Sequence, residues 1–171
     1  NNLLIFETYS IINNSKRNLG IMLGLFLILG TSLREQDEPS VQWLSFEELE
    51  DSLTVSPKKV FIDFYTEWCT YCRKMDKTVF TNPEVIDLLN EEYYAVRFDA
   101  ETDTSITFSG QVLVNDQIGK SRTPIHQIAQ LLALRKGRFV APTIVVLDEE
   151  FKVISRHFQY LDSKRLLREL K

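Results

Sequence analysis

Apolar positions along the chain follow two patterns: clusters at helical spacing and short unbroken runs. The first run, Leu19–Gly30, follows Lys16-Arg17-Asn18 and gives way through Thr31-Ser32 to Arg34-Glu35-Gln36-Asp37-Glu38. A basic start, a short apolar core and small residues at its end predict a secretory signal peptide over residues 1–32, with Ser32 before the cut. The run is short of the roughly 20 residues that a membrane span requires, and an uncleaved anchor is the alternative. Residues 33–40 read as a polar linker and 41–171 as one domain. Ser45, with Glu48 three positions on and apolar residues at helical spacing to Leu53, predicts a helix with a capping box. Val60–Tyr65 is a β-rich run and predicts a buried strand, with Asp63 as the one carboxylate inside it. A helix is expected from Glu67 to Lys77. Another starts at Asn82-Pro83, with Val85, Ile86, Leu88 and Leu89 as its apolar face. Tyr93–Asp99 reads as a strand. Ile106-Thr107-Phe108 and Val112-Leu113-Val114 flank Ser109-Gly110 as a hairpin. Thr123-Pro124 is expected to open a helix running through Leu134 and Arg135 and closed by Gly137. Ile144–Leu147 predicts a buried strand, Lys152–Arg156 an edge strand, and Asp162-Ser163 the cap of a last helix ending at Leu170. This succession predicts an α/β fold, a sheet packed between helices.

Composition narrows the function classes. The 171 residues carry 20 Lys+Arg against 24 Asp+Glu, a net charge of −4, and 44% are hydrophobic. That is the profile of an ordinary globular chain. A pI near 5.3 argues against a nucleic-acid partner, which would require a basic face for phosphates. Two Cys are too few for a disulfide-dense scaffold or a four-Cys zinc site.

The chemistry therefore rests on Cys69 and Cys72, a Cys-x-x-Cys pair directly after an apolar strand and opening a helix. Free N–H groups and partial positive charge at a helix N-terminus favour the thiolate, the nucleophilic form, at Cys69. Cys69 is expected to be reachable there, and Cys72, one turn inside, to be more shielded. The ring closed by the pair is so small that it restrains the unfolded chain little, so a bridge here suits a reversible switch better than a staple. A structural disulfide remains open, since an exported chain meets an oxidising environment. Zinc would need two more ligands, and His126 and His157 lie far apart without a paired motif; no metal site is expected. His126 is expected to be a surface or partly buried helix residue.

Val60–Cys72, with its Trp68-Cys69-Thr70-Tyr71-Cys72 core, resembles the active-site strand, turn and helix of the thioredoxin family, and Ala141-Pro142-Thr143 resembles its cis-proline segment. Lys77–Val85 is similar to the segment after the active-site helix in the C-terminal periplasmic thioredoxin domain of the disulfide interchange transporter. The resemblance implies a thioredoxin-like fold with a central mixed sheet between helices. It makes Cys69 the attacking thiol and Cys72 the resolving one. Asp63 becomes a buried carboxylate relaying a proton at Cys72 through a water, and Arg97 stands where the family often has a Lys near that acid. Trp68 would pack beside the disulfide, Pro142 would be cis against the sulfurs, and Ala141 would offer its backbone to a substrate chain. A carboxylate in such a strand should have a raised pKa, which suits proton transfer near neutrality; the alternative is a carboxylate held by backbone donors or Arg97.

Two departures stand out. Thr70-Tyr71 is neither Gly-Pro nor a His-containing pair. That favours a reductant and leaves Tyr71 free to shape a contact surface. Residues 102–138 are longer than the family's link to the cis-proline strand and add a hairpin and a helix, as decoration or as a recognition element near the sulfurs. The expectation is an exported, periplasmic thiol–disulfide oxidoreductase, monomeric and without cofactor. It would act on protein disulfides and be recharged by a membrane or periplasmic thiol donor. The alternatives are a binding module with an idle Cys pair, or an oxidase or isomerase.

Overall fold

Local chemistry sets the helix starts. Ser45 Oγ accepts from the Glu48 N–H at 3.1 Å, while Glu48 Oε2 accepts from the Ser45 N–H at 2.7 Å, so the expected capping box is present. Asn82 and Asp162 cap their helices in the same way, accepting from Val85 and Arg165. The structure, a computed structural model, describes residues 38–171, so the expected signal segment lies outside the described residues. In chain order the elements are β1 (Trp43–Leu44), α1 (Phe46–Val55), β2 (Lys59–Tyr65), α2 (Thr70–Thr78), α3 (Pro83–Glu92), β3 (Tyr93–Asp99), β4 (Ile106–Phe108), β5 (Gln111–Leu113), α4 (Gln127–Leu132), β6 (Leu134–Arg135), β7 (Arg138–Phe139), β8 (Thr143–Leu147), β9 (Val153–His157) and α5 (Ser163–Leu170).

Five strands form one mixed sheet in the order β1-β3-β2-β8-β9. β3 runs parallel to β1 and β2, and β8 is antiparallel to β2 and β9. The alternation of a strand divides β2 between two cores. Val60, Ile62 and Phe64 join Phe46 and Leu49 of α1, Phe98, and Ile106, Ile125 and Ile128. Phe61 enters the opposite core, with Met75 and Val79 of α2 and its flank, Val85 and Leu89 of α3, and Leu166 and Leu170 of α5. Asp63 shares the parity of Phe61 and so belongs to the α2 face. Phe61 is fully buried; truncating it to Ala would cost about 3–5 kcal/mol, because its neighbours in a close-packed core cannot collapse into the space.

The edges are treated differently from the centre. β1, which the pattern did not reveal, offers only two residues. On β9, Val146 pairs with Ser155 and Leu147 with Val153, which leaves Ile154 as a bulge.

The inserted region departs from expectation at both ends of its helix, which starts at Gln127, capped by His126, rather than at Thr123-Pro124. The hairpin β4–β5 turns at Ser109-Gly110 as anticipated, with φ values of 53° and 70°. The helix expected to run through Arg135 instead stops at Leu132, and Leu134–Phe139 forms a second hairpin, β6–β7, through Lys136 (φ 50°) and Gly137 (φ 75°). Two consecutive left-handed residues make the turn that matches strand twist, and this local geometry overrides the helical spacing before it. The region is also part of the core: Ile106, Ile125, Ile128, Ala129 and Ala133 are buried, and the His126 N–H donates to the Ala100 carbonyl at 2.8 Å. His126 is fully buried, against the expectation of a surface or partly buried residue. Its Nδ1 accepts from the Ile128 N–H at 3.1 Å, so it is drawn inward as the cap of α4, and its ring meets Phe98 edge-on at 5.2 Å. Among the described residues no helix is long and apolar enough to cross a membrane.

Candidate functional site

The turn from β2 to α2 places the two sulfurs. The Cys69 N–H donates to the Thr66 carbonyl at 3.1 Å, which closes the turn, and Cys69 becomes the N-cap of α2. Its Sγ accepts from the Cys72 N–H at 3.1 Å. An unpaired first-turn N–H is thus aimed at the sulfur, and this contact and the helix dipole both stabilise a thiolate there. Cys69 and Cys72 are joined as a disulfide. In this oxidised form Cys72 is 1% exposed and Cys69 only 3%, so Cys69 is less open than the sequence suggests. In the disulfide its Sγ lies at the helix start, against the Cys72 N–H. The neighbours Trp68 and Tyr71 are 62% and 60% exposed, so solvent meets mainly aromatic rings at this motif. The Trp68 Nε1–H donates to Glu101 Oε2 at 3.0 Å, and Tyr71 packs at 5.9 Å on Tyr160.

On the α2 face of the sheet, two carboxylates share one guanidinium. Asp63 and Arg97 are register partners on β2 and β3. Arg97 Nε lies 3.5 Å from Asp63 Oδ2, while Arg97 Nη2 donates to Asp76 Oδ2 on α2 at 2.7 Å. The guanidinium also covers the Tyr65 ring at 4.1 Å. Arg97 is therefore turned towards Asp76, and neither Asp63 oxygen has a hydrogen-bond partner. Burial pushes the Asp63 carboxyl up to about 7; the Arg97 charge opposes the rise and the Asp76 charge adds to it. Asp76 is itself raised by its partial burial, against the pull of Arg97. No backbone donor holds Asp63, so of the two alternative holders only Arg97 is at hand, loosely.

The Ala141–Pro142 bond is cis, as the resemblance implied, with Pro142 buried and Ala141 half-buried. Trp68 and Ala141 line one cleft of about 740 Å³, whose remaining wall comes largely from the inserted region, including Gln117, Ile125, Gln130 and Arg138. Tyr71 does not line this cleft. Two members of the site escaped the sequence reading, Asp76 and Glu101. Asp76 carried a signal: it follows Cys72 by four residues, and so lies on the same helix face. Glu101 carried none, since its role depends on where the Trp68 ring points.

Comparison with known proteins places this geometry. The profile of the thioredoxin-like domain matches residues 47–171. The thiol:disulfide interchange protein DsbD of Photorhabdus laumondii is 26% identical over 142 residues, 80% of this chain and 21% of that protein, so the chain spans about a fifth of this relative's length. Thioredoxin Y of the Oryza sativa chloroplast is 34% identical over 100 residues, 57% of this chain and 55% of that protein. Among solved structures, the DsbH oxidoreductase covers 94% of this chain and 95% of its own at 17% identity and a TM-score of 0.53. A thioredoxin from Thermus thermophilus covers 77% and 85% at 22% identity, also with a TM-score of 0.53. At such identities the structural likeness speaks for the fold alone.

Proposed function

The chain belongs to the thioredoxin-like domain family, and from that premise we propose that it is an exported thiol–disulfide oxidoreductase that reduces protein disulfides through Cys69 and Cys72. In the reduced form, the Cys69 thiolate attacks one sulfur of a substrate disulfide. A Cys69–substrate bond forms and the first substrate thiolate leaves. Cys72 then loses its proton to Asp63 and attacks Cys69 Sγ. The Cys69–Cys72 bond closes, and the second substrate thiolate leaves and is protonated. Two electrons pass from the pair to the substrate, and a membrane or periplasmic thiol donor returns them.

The observation that carries this reading is Asp63: a buried carboxyl raised to about 7, on the sheet face covered by the helix that holds both cysteines. A group poised near neutrality exchanges protons at low cost in either direction. The Cys72 N–H at Cys69 Sγ supports Cys69 as the attacking sulfur. The absence of a His at positions 70 and 71 supports a reductant rather than a strong oxidant. Export is supported by the apolar run Leu19–Gly30 after its basic start.

The rival reading, a binding module with an idle Cys pair, draws on the 3% exposure of Cys69. One experiment separates them. A Cys72→Ser variant, incubated with disulfide-bonded proteins, should accumulate Cys69 mixed disulfides that dithiothreitol releases. No adduct, together with a reduction potential too negative to exchange with protein disulfides, would leave only the module.

A further inference from the structure

Residues 117–147 contain Lys120, Arg122, Arg135, Lys136 and Arg138 and not one Asp or Glu, in a chain of net −4. All five side chains are exposed, and none forms an ion pair among the described residues. Two carboxylates border the cleft, Glu101 in its lining, which accepts from Trp68, and Asp116, which accepts from Gln130; both donors are neutral, so each acid keeps its charge and the cations outnumber them five to two. Their placement follows from the fold. Ser121 and Thr123, the chain neighbours of Lys120 and Arg122, line the cleft that holds Trp68 and Ala141. Arg135, Lys136 and Arg138 line a second hollow of about 510 Å³ against the β6–β7 hairpin. The two hollows share Arg138, Phe139 and Val140. Together the two adjoining hollows make a channel from Trp68, next to Cys69, past Ala141 to the cationic hairpin.

We propose that this channel docks the substrate polypeptide. The half-cystine lies at Trp68 and Ala141, and acidic residues flanking it lie on Arg135, Lys136 and Arg138. The assignment rests on the oxidoreductase reading and adds the class of substrate to it. The argument is charge complementarity joined to the reactive end. Three cations on one hairpin, with Lys120 and Arg122 next in the chain to cleft-lining residues, repel a basic chain and steer an acidic one, and steering of this kind acts mainly on association rate and weakens with salt. The shared Phe139 and Val140 supply apolar contact between the two ends.

The test compares two disulfide-bridged peptides of equal length, one with Asp and Glu beside the cystine and one with Ser and Lys, each mixed with the reduced full-length chain. The acidic peptide should be reduced about tenfold faster at low salt, and the advantage should collapse when ionic strength rises from about 0.02 to about 0.5 M. An R135E/K136E/R138E variant should reverse the preference, and the milder R135Q/K136Q/R138Q should abolish it. Both should keep the wild-type rate towards the uncharged 2-hydroxyethyl disulfide. Equal rates for the two peptides, or a preference that survives in the variants, would overturn the docking assignment while leaving the oxidoreductase intact. Tight binding of a short RNA with no peptide preference would reassign the channel and overturn it too. Failure of the wild type to reduce even 2-hydroxyethyl disulfide would remove the redox reading itself.

Discussion

Asp63 and His126 form a natural pair for comparison: both titratable, both sealed from solvent, and on opposite faces of one sheet. Burial moves each towards its neutral form, Asp63 upwards and His126 downwards. Their surroundings differ. His126 is tied to the backbone: Nδ1 accepts from the Ile128 N–H and its main-chain N–H donates to the Ala100 carbonyl, joining the inserted region to the end of β3, although Nε2 has no partner among the described residues. Asp63 serves no backbone group and faces only charges, Arg97 at 3.5 Å and, through it, Asp76. Desolvation alone therefore does not mark a reactive group. What distinguishes Asp63 is its charged setting beside Arg97 and Asp76, which the proposed proton transfer would use.

The comparison can be broken by substitution, the largest effect first. Asp63→Asn should slow disulfide reduction at pH 7–8 by about a hundredfold or more, the scale of a lost general base, and should erase the inflection near pH 7. The same change should raise stability. A carboxyl whose folded pKa exceeds its unfolded value of 3.8 destabilises the fold progressively from pH 4 to about 7, and the full penalty remains above that. Denaturant titration at pH 8.5 should therefore find Asp63→Asn more stable than wild type by up to about 4 kcal/mol, and by much less at pH 4.5. An unchanged rate would make Asp63 a passive core group like His126.

His126→Ala should do the reverse. Losing the buried ring and the cap of α4 should cost about 2–4 kcal/mol in unfolding, while the rate per folded molecule holds. His126→Asn should restore much of that loss, because Asn caps as well. It should also flatten an acid-side slope: a histidine held below 6.5 in the fold withdraws stability as pH falls through the unfolded value, and Asn has no proton to take up. Equal slopes in wild type and His126→Asn between pH 7 and 5 would refute that assignment. The smallest effect should come from Asp76→Asn. With its 2.7 Å anchor weakened, Arg97 bears more on Asp63, and the negative charge that raised Asp63 is gone. The inflection in the pH–rate profile should move to lower pH, with little change at its plateau.

Much of this was legible in the chain. Cap residues fixed the starts of α1, α3 and α5, and a lone carboxylate in an apolar run marked Asp63. Two turns show where legibility ends. Ser109-Gly110 lies between β-rich triplets and reads as a hairpin, and is one. Lys136-Gly137 adopts the same pair of positive φ angles, but follows Leu131, Leu132 and Leu134 at helical spacing, so the Gly reads as a helix stop. Neither β1 nor the caps of α2 and α4 could be read locally. Two residues of strand exist only because β3 lies beside them, and Cys69 and His126 cap through side chains whose usual roles lie elsewhere. Asp76 was visible as helix periodicity from Cys72; its link to Asp63 required knowing that β3 presents Arg97 between them.

The outer strands of the sheet carry a consequence for life in a crowded compartment. On one side β1 offers a neighbouring molecule only two residues of ladder. On the other, β9 is kinked at Ile154, bears exposed Arg156 with Lys152 just before it, and is tethered by the Arg156 Nε–H to the Leu132 carbonyl at 2.6 Å. A fibril grows by adding straight strands to a straight edge, and this sheet presents none. High local concentration should therefore not turn the exposed backbone into a template for aggregation.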